Sequence, residues 1–360
     1  MTSTHSSHPA PLPYTRLPDL TGSTVENGKL KLVELLGHGS FAKVYKALDT
    51  QSTASSVAPI HYAVKCLLNG EPGSQEHHNL QNELKNHTQV SGLPGVVALH
   101  RAFVEGEHVF VVMELCDTDL NRFVIEHKDC DEQCDVAKRV FLDVLDAVET
   151  CHAEGVFHRD LKPGNILCDA DGKNIRIADF GVATRSEESK QFGVGTAVFA
   201  SPENMDKTRD TYSPRGTDCW SLGVILIALM TSSLLWKAPV ESDDTYCAYR
   251  ADPAHFLRGT LDLSPSFSSL ANRIFDPNPA RRPSIPELRT EVEAMDTFVV
   301  PPPVDIVALA LQNPLHKPQK SKCRATPPPV DSSGTTPLRL LCIASLTKKL
   351  RRLVRRRSMS

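Results

Sequence analysis

Hydrophobic and polar positions change rhythm once, near residue 120. Before it, KLVELLGHGS, AKVYKALD, HYAVKCLL, VVALHRAFVE and HVFVVMEL are short runs rich in β-branched residues and punctuated by Gly. That pattern predicts five strands. Between the third and fourth, HHNLQNELKNHTQV has helical periodicity. After Leu120 the period is mainly helical. VAKRVFLDVLDAVETCHAEG predicts one amphipathic helix, and WSLGVILIALMTSSLLW a largely buried one. A strand-rich lobe followed by a helix-rich lobe is an α+β fold. There is no internal repeat.

The ends differ from this body. Residues 1–27 are rich in Ser, Thr and Pro and predict a disordered segment. Residues 28–298 hold the periodic segments. PPPVD, PQKSKC and TPPPVD mark a Pro-rich disordered linker over 299–336, and residues 337–360 form a basic amphipathic tail. There Ile343, Leu346, Leu350 and Leu353 fall at helical spacing among Lys348, Lys349, Arg351, Arg352 and Arg355 to Arg357. Such a tail suits an anionic membrane surface, an acidic partner or an import receptor. The alternative is a disordered end that folds back on the body. Charge permits that: residues 301–360 carry twelve Lys and Arg against two Asp, so the net charge of −3 leaves −13 on residues 1–300.

Composition adds little beyond this. An apolar share of 40% and a charged share of 23% suit a soluble globular chain. The longest apolar run, Val224 to Met230, has seven residues, far short of the roughly 20 that span a bilayer. The N-terminus has no charged-then-apolar leader pattern. Ten cysteines occur without a CxxC pair. Cys130 and Cys134 could share a helix face, but separate reduced thiols in a cytoplasmic or nuclear protein are the expectation.

Three places carry candidate chemistry. The first is GHGSFAKV, where Gly37, His38, Gly39 and Ser40 form a hairpin between predicted strands. Glycines there let backbone N–H groups approach phosphate oxygens, although most GxG pairs are ordinary turns. Ala42 stands where GxGxxG has its third glycine. The second is Lys65, closing HYAVK. Under the hairpin its ammonium would hold phosphates, oriented by a carboxylate: Glu83 first, Glu76 as runner-up. The third is HRDLKPGN, His158 to Asn165, with Asp179 of DFG beyond it. Asn165 and Asp179 suit Mg²⁺, a hard cation that prefers oxygen. Asp160 is then free to orient a hydroxyl and accept its proton, and Lys162 to stabilise a transferring phosphoryl group.

Across residues 28–298 these segments, GxGxxA, AVK, HRDLKPxN, DFG, GTxxxxSPE and DxWSLGV in that order, resemble the protein kinases. HRDLKP and the GT of Gly195–Thr196 resemble the Ser/Thr branch. YAVKCL, FGVGT, WSLGVILI, LLWKAP, AYRADPAHFL and RIFDPNPARRPSIPELR resemble fungal Ser/Thr kinases that regulate nutrient signalling, conjugation and meiosis.

The resemblance implies ATP, Mg²⁺ and protein substrates. Met113 would be the gatekeeper, and the backbone of Glu114 and Cys116 would meet the adenine edge. Val44, Ala63 and Leu167 would sandwich the ring, with Asp119 near the ribose. Thr196 would contact Asp160, Glu203 would pair with Arg282, and Asp218 would hold the catalytic loop. His158 and Phe180 would stack in an apolar spine, so His158 is read as packed rather than as an acid or base. Arg159 would pair with a phosphate on Ser186 or Ser189, or with Glu187 or Glu188 in its place. Gly164 replaces a glutamate that reads substrate arginine, so no arginine preference is expected from it. RRRS at Ser358 resembles a site for basic-directed kinases. The alternative function is a pseudokinase or scaffold. Against it, Lys65, Asp160, Asn165 and Asp179 are all present.

Overall fold

The computed structural model describes residues 17–39, 42–52, 58–127 and 133–300. Ser40, Cys130, the linker from residue 301 and the basic tail lie outside them. In chain order the elements are β1 (Thr24–Val25), β2 (Leu30–His38), β3 (Ala42–Asp49), β4 (His61–Leu68), α1 (Gln75–Val90), β5 (Leu99–Glu105), β6 (His108–Met113), β7 (Thr118–Asp119), α2 (Leu120–His127), α3 (Gln133–Ala153), β8 (Ile166–Cys168), β9 (Arg176–Ile177), α4 (Pro202–Met205), α5 (Pro214–Thr231), α6 (Asp244–Ala251), α7 (Pro253–Thr260), α8 (Pro265–Ile274) and α9 (Ile285–Glu293).

The first lobe is an antiparallel sheet in the order β1-β2-β3-β4-β6-β5. Period-2 alternation gives it two apolar faces. Leu30, Leu32, Tyr45, Ala47, Val64, Cys66, Phe110 and Val112 cover one. Val109 and Val111 pack on the other, against Leu80 of α1. β6 is thus buried on both sides, which is why HVFVVM reads as a continuous apolar run. Ser74 caps α1 by accepting from the His77 amide at 3.1 Å.

The second lobe is built on α5, buried along nearly its whole length. Its sequence is apolar all round because neighbours surround it. The helix expected from Trp220 to Trp236 instead starts at Pro214, behind the Ser213 cap, and stops at Thr231. Ser232 takes a left-handed conformation (φ 51°) and turns the chain away. A small sheet β7-β8-β9 is absent from the sequence reading. No helix among the described residues is long and apolar enough to cross a membrane.

Within the segment expected to be disordered, residues 17–27 are placed against the sheet. Leu17 and Leu20 pack on the sheet, and β1 pairs with β2. The Leu20 amide donates to the Tyr45 hydroxyl at 3.1 Å, and Glu26 pairs with Arg101 at 2.6 Å. Two leucines in a polar stretch carry no periodicity, so only the partners reveal the segment.

Candidate active site

The cleft between the lobes gathers the candidate residues. Lys65 on β4 sits opposite Val44 of β3 in register. Its Nζ lies 2.5 Å from Glu83 Oε1 on α1 and 2.8 Å from Asp179 Oδ1. Glu76 is in the first turn of α1 and exposed, so the choice between the two glutamates falls to Glu83. Burial opposes charge on all three groups. The two carboxylates nevertheless hold the Lys65 ammonium above its ordinary range, and Lys65 brings Asp179 down to about 2. Burial wins at Glu83, whose carboxyl is raised although Lys65 opposes this.

Opposite stands the loop between α3 and β8. Asp160 Oδ1 accepts from the Thr196 amide at 2.7 Å. Its Oδ2 accepts from Lys162 Nζ at 2.8 Å and Asn165 Nδ2 at 3.2 Å. Lys162 also reaches the Thr196 hydroxyl at 2.9 Å. The Ala178 amide donates to the Asn165 carbonyl at 2.9 Å, which brings Asp179 beside this loop. Asp218 holds the loop from behind. It accepts from the His158 and Arg159 amides at 2.8 and 2.7 Å and from His152 Nε2 at 2.8 Å.

His158 is packed as expected. Its Nε2 donates to the Ala178 carbonyl, its Nδ1 accepts from the Asp160 amide, and its ring lies 5.1 Å from Phe180. With both ring nitrogens engaged, no proton-transfer role remains for it.

Glycine at 195 is dictated by contact. Its φ is +83°, and a Cβ there would stand 2.4 Å from the Arg159 carbonyl and 3.3 Å from Asp160 Oδ1. Gly195→Ala is expected to lower kcat roughly a hundredfold by displacing the Thr196 amide from Asp160. ATP affinity, measured by titration calorimetry, should stay unchanged. A kcat within threefold of wild type would refute this.

The nucleotide-side candidates fall on or beside β2, β3, β4, the end of β6, β7 and β8. Ala63 is in register with Met113. The Glu114 amide donates to the Ala98 carbonyl at 2.9 Å. The Glu114 side chain pairs with Arg176 at 3.0 Å. Burial and then Glu114 push the half-buried Cys116 thiol up to about 12, so it is not a nucleophile. Leu167 is half-buried on β8. Asp119 Oδ1 accepts from the Asn121 and Arg122 amides, capping α2, a structural task the sequence did not show. Gly37 and Gly39 meet no tight neighbour: a Cβ at the first would find nothing within 4 Å, and at the second only the Ala42 carbonyl at 4.0 Å. His38 pairs in register with Lys43.

Two residues of α1 escaped the sequence reading. Asn86 Nδ2 donates to the Ala183 carbonyl at 2.7 Å, tying the helix to the chain after DFG. His87 Nε2 donates to the Val97 carbonyl at 2.8 Å, with its ring 5.0 Å from Phe180. The only signal was their position three and four residues after Glu83. Burial holds His87 below the ordinary histidine value of 6.5, and Lys65 and His158 nearby act the same way against Asp179. The folded state therefore binds fewer protons than the unfolded chain below that pH. His87 lowers stability as pH falls through the unfolded pKa. His87→Leu should show a flatter loss of urea midpoint than wild type between about pH 7.5 and 5.5. Parallel losses would refute this.

An antiparallel sheet over a helical lobe, with Lys65–Glu83 facing Asp160 and Asn165, defines the protein kinase class. The protein kinase domain profile matches residues 30–292, and the chain belongs to that family. It is 33% identical over 297 residues to "Negative regulator of sexual conjugation and meiosis" of Schizosaccharomyces pombe, covering 76% of this chain and 62% of that protein. It is 32% identical over 231 residues to serine/threonine-protein kinase VHS1 of Saccharomyces cerevisiae, covering 60% and 50%. It is 30% identical over 282 residues to CBL-interacting protein kinase 24 of Oryza sativa subsp. japonica, covering 76% and 58%. These matches span 50 to 62% of the relatives' own lengths.

Proposed function

We propose that this chain is an ATP-dependent protein serine/threonine kinase. The observation that carries the reading is Asp160, whose carboxylate is fixed by Thr196, Lys162 and Asn165 across the cleft from the Lys65–Glu83 pair. In this reading the Asp160 carboxylate takes the proton of a Ser or Thr hydroxyl as that oxygen bonds to the transferred phosphorus and ADP departs. Lys162 neutralises charge on the moving phosphoryl group, and Lys65 positions the donor phosphates. The open space at Gly37 and Gly39 supports the phosphate role of the hairpin, since nothing among the described residues crowds either position. Val44, Ala63, Met113 and Leu167 are the adenine contacts in this reading, with the Glu114 and Cys116 backbone at the adenine edge and Asp119 near the ribose.

Asn165 and Asp179 fit Mg²⁺. Asp160 engages the Asn165 Nδ2, and Lys65 engages Asp179 Oδ1, leaving one oxygen on each side chain. Among the described residues no group of three or more His, Cys, Asp or Glu forms a metal cage. That suits a cation completed by substrate phosphates. Mg²⁺ bound there would neutralise phosphate charge.

The substrates are proteins, and the S. pombe relative's name supports a role in intracellular signalling. The basic tail supports docking on an anionic membrane surface, an acidic partner or an import receptor, with the protein working in the cytoplasm or nucleus. The test is transfer of labelled phosphoryl from Mg-ATP to a generic protein substrate, with phosphoamino-acid analysis. Label on Ser or Thr that Asp160→Asn fails to produce is expected. No transfer despite measured ATP binding would favour the pseudokinase.

A further inference from the structure

Arg159 precedes Asp160, is 3% exposed and has a left-handed backbone (φ 64°). Its side chain reaches into the segment after DFG. Nε donates to the Val182 carbonyl at 2.6 Å, Nη1 to the Ser189 hydroxyl at 2.9 Å and the Tyr212 hydroxyl at 3.2 Å, and Nη2 to Gln191 Oε1 at 2.9 Å. These four acceptors are uncharged.

The acceptors also hold one another. The Gln191 amide donates to Ser189 Oγ at 3.1 Å, and the Tyr212 hydroxyl to the Gln191 carbonyl at 2.9 Å. Ser189 and Tyr212 exchange backbone hydrogen bonds at 2.9 and 3.0 Å. The Tyr212 ring lies 5.3 Å from Phe192.

This arrangement bears on the serines expected to accept a phosphate opposite Arg159. Ser189 is 6% exposed and its oxygen already accepts twice, so a phosphate there would have to break the bridge to Tyr212. Ser186 is exposed, and its amide turns to Thr184 Oγ1. Glu187 reaches Arg215 at 3.9 Å rather than Arg159.

We propose that Ser189, Gln191 and Tyr212 are positioning residues forming an uncharged clamp on Arg159, which orders residues 182–196 without phosphorylation. Transfer competence in the unmodified chain follows, a consequence that rests on the kinase reading above. The route to the chemistry is short. The clamp fixes the chain leading to Gly195, which touches the Arg159 carbonyl, and to Thr196, whose amide holds Asp160. The sum of several directed bonds replaces one charge-assisted pair.

The experiment uses the full chain treated with a phosphatase and shown phosphate-free by intact mass. Backbone exchange at Ser189 and Tyr212 should be slow in that protein, and its kcat should match that of untreated protein. Tyr212→Phe keeps the ring but removes the hydroxyl. It should speed exchange at Ser189 and lower kcat about tenfold at unchanged KM for ATP. Adding Gln191→Glu should recover most of the loss, by giving Arg159 a charged acceptor. Ser189→Asp should lower activity rather than raise it.

Fast exchange in the phosphate-free protein that slows on phosphorylation would overturn the clamp. So would a Tyr212→Phe protein with wild-type exchange and kcat. Slow exchange without transfer in any form supports the clamp and overturns the kinase reading instead.

Discussion

Asp160→Asn is expected to lower kcat by about a thousandfold while leaving ATP affinity within a factor of about two. The substitution is isosteric but changes two things at once. It removes the base, and it places an amide nitrogen where an oxygen now accepts. Oδ1 can still accept from the Thr196 amide. The other position then presents N–H groups to the Lys162 ammonium and the Asn165 amide, both of which are donors. Among its described partners Lys162 then keeps the Thr196 hydroxyl. The loss therefore includes some of the phosphoryl-stabilising charge as well as the base. Lys162→Met separates the parts: it should leave Asp160 in place and cost less than Asp160→Asn. In the proposed reading the ATP contacts lie at Lys65 and the end of β6, away from Asp160, so binding should survive. A single-turnover assay reads the chemical step directly. A rate within tenfold of wild type would show that Asp160 is not the base.

The parts of this site that were legible in sequence share one property. Their residue types are demanded by charge or ligand chemistry, at spacings fixed within one loop. His158 to Asn165 spans eight residues, so its backbone alone places Asp160, Lys162 and Asn165 together. Lys65 and Glu83 are instead 18 positions apart, across the end of β4, a loop and more than two turns of α1, and there burial chose between two candidate glutamates. The strands were legible because a buried sheet face imposes period 2, as in β3 and β4.

Other features depend on neutral contacts between distant segments, which leave no pattern. Tyr212 and Gln191 bond Arg159 across 53 and 32 positions with groups that any surface loop could carry. Leu17 and Leu20 are two apolar residues in a polar stretch. Gly195 read as part of GT, whereas its cause is a carbonyl 2.4 Å from an absent Cβ. Sequence spacing reported who bears charge, but not which neutral groups close around it.

The largest stability effect is expected from Glu203→Ala. Glu203 and Arg282 bond at 2.5 and 2.8 Å with side chains only 1% exposed. Arg282 also donates to the Gly216 carbonyl at 2.7 Å and the Asp276 carbonyl at 3.1 Å, and lies 5.0 Å from the Trp220 ring. Those contacts hold the guanidinium in place but supply no countercharge. Removing Glu203 strands a cation in the core, at a cost of about 3–5 kcal/mol and a Tm lower by roughly 8–15 °C. That is a large share of the about 5–15 kcal/mol that holds a typical domain together. Arg282→Met alone should cost a similar amount, since it leaves a buried carboxylate. The double variant Glu203→Leu, Arg282→Met should recover much of the loss, because neither charge remains to be desolvated. Urea midpoints of the four proteins form the cycle. If the double variant is as unstable as the two single losses added together, the pair contributes by shape and backbone contacts rather than by charge compensation. Near-full recovery would instead show that it joins α4, at the end of the clamp-held segment, to the loop before α9 mainly by matching charge.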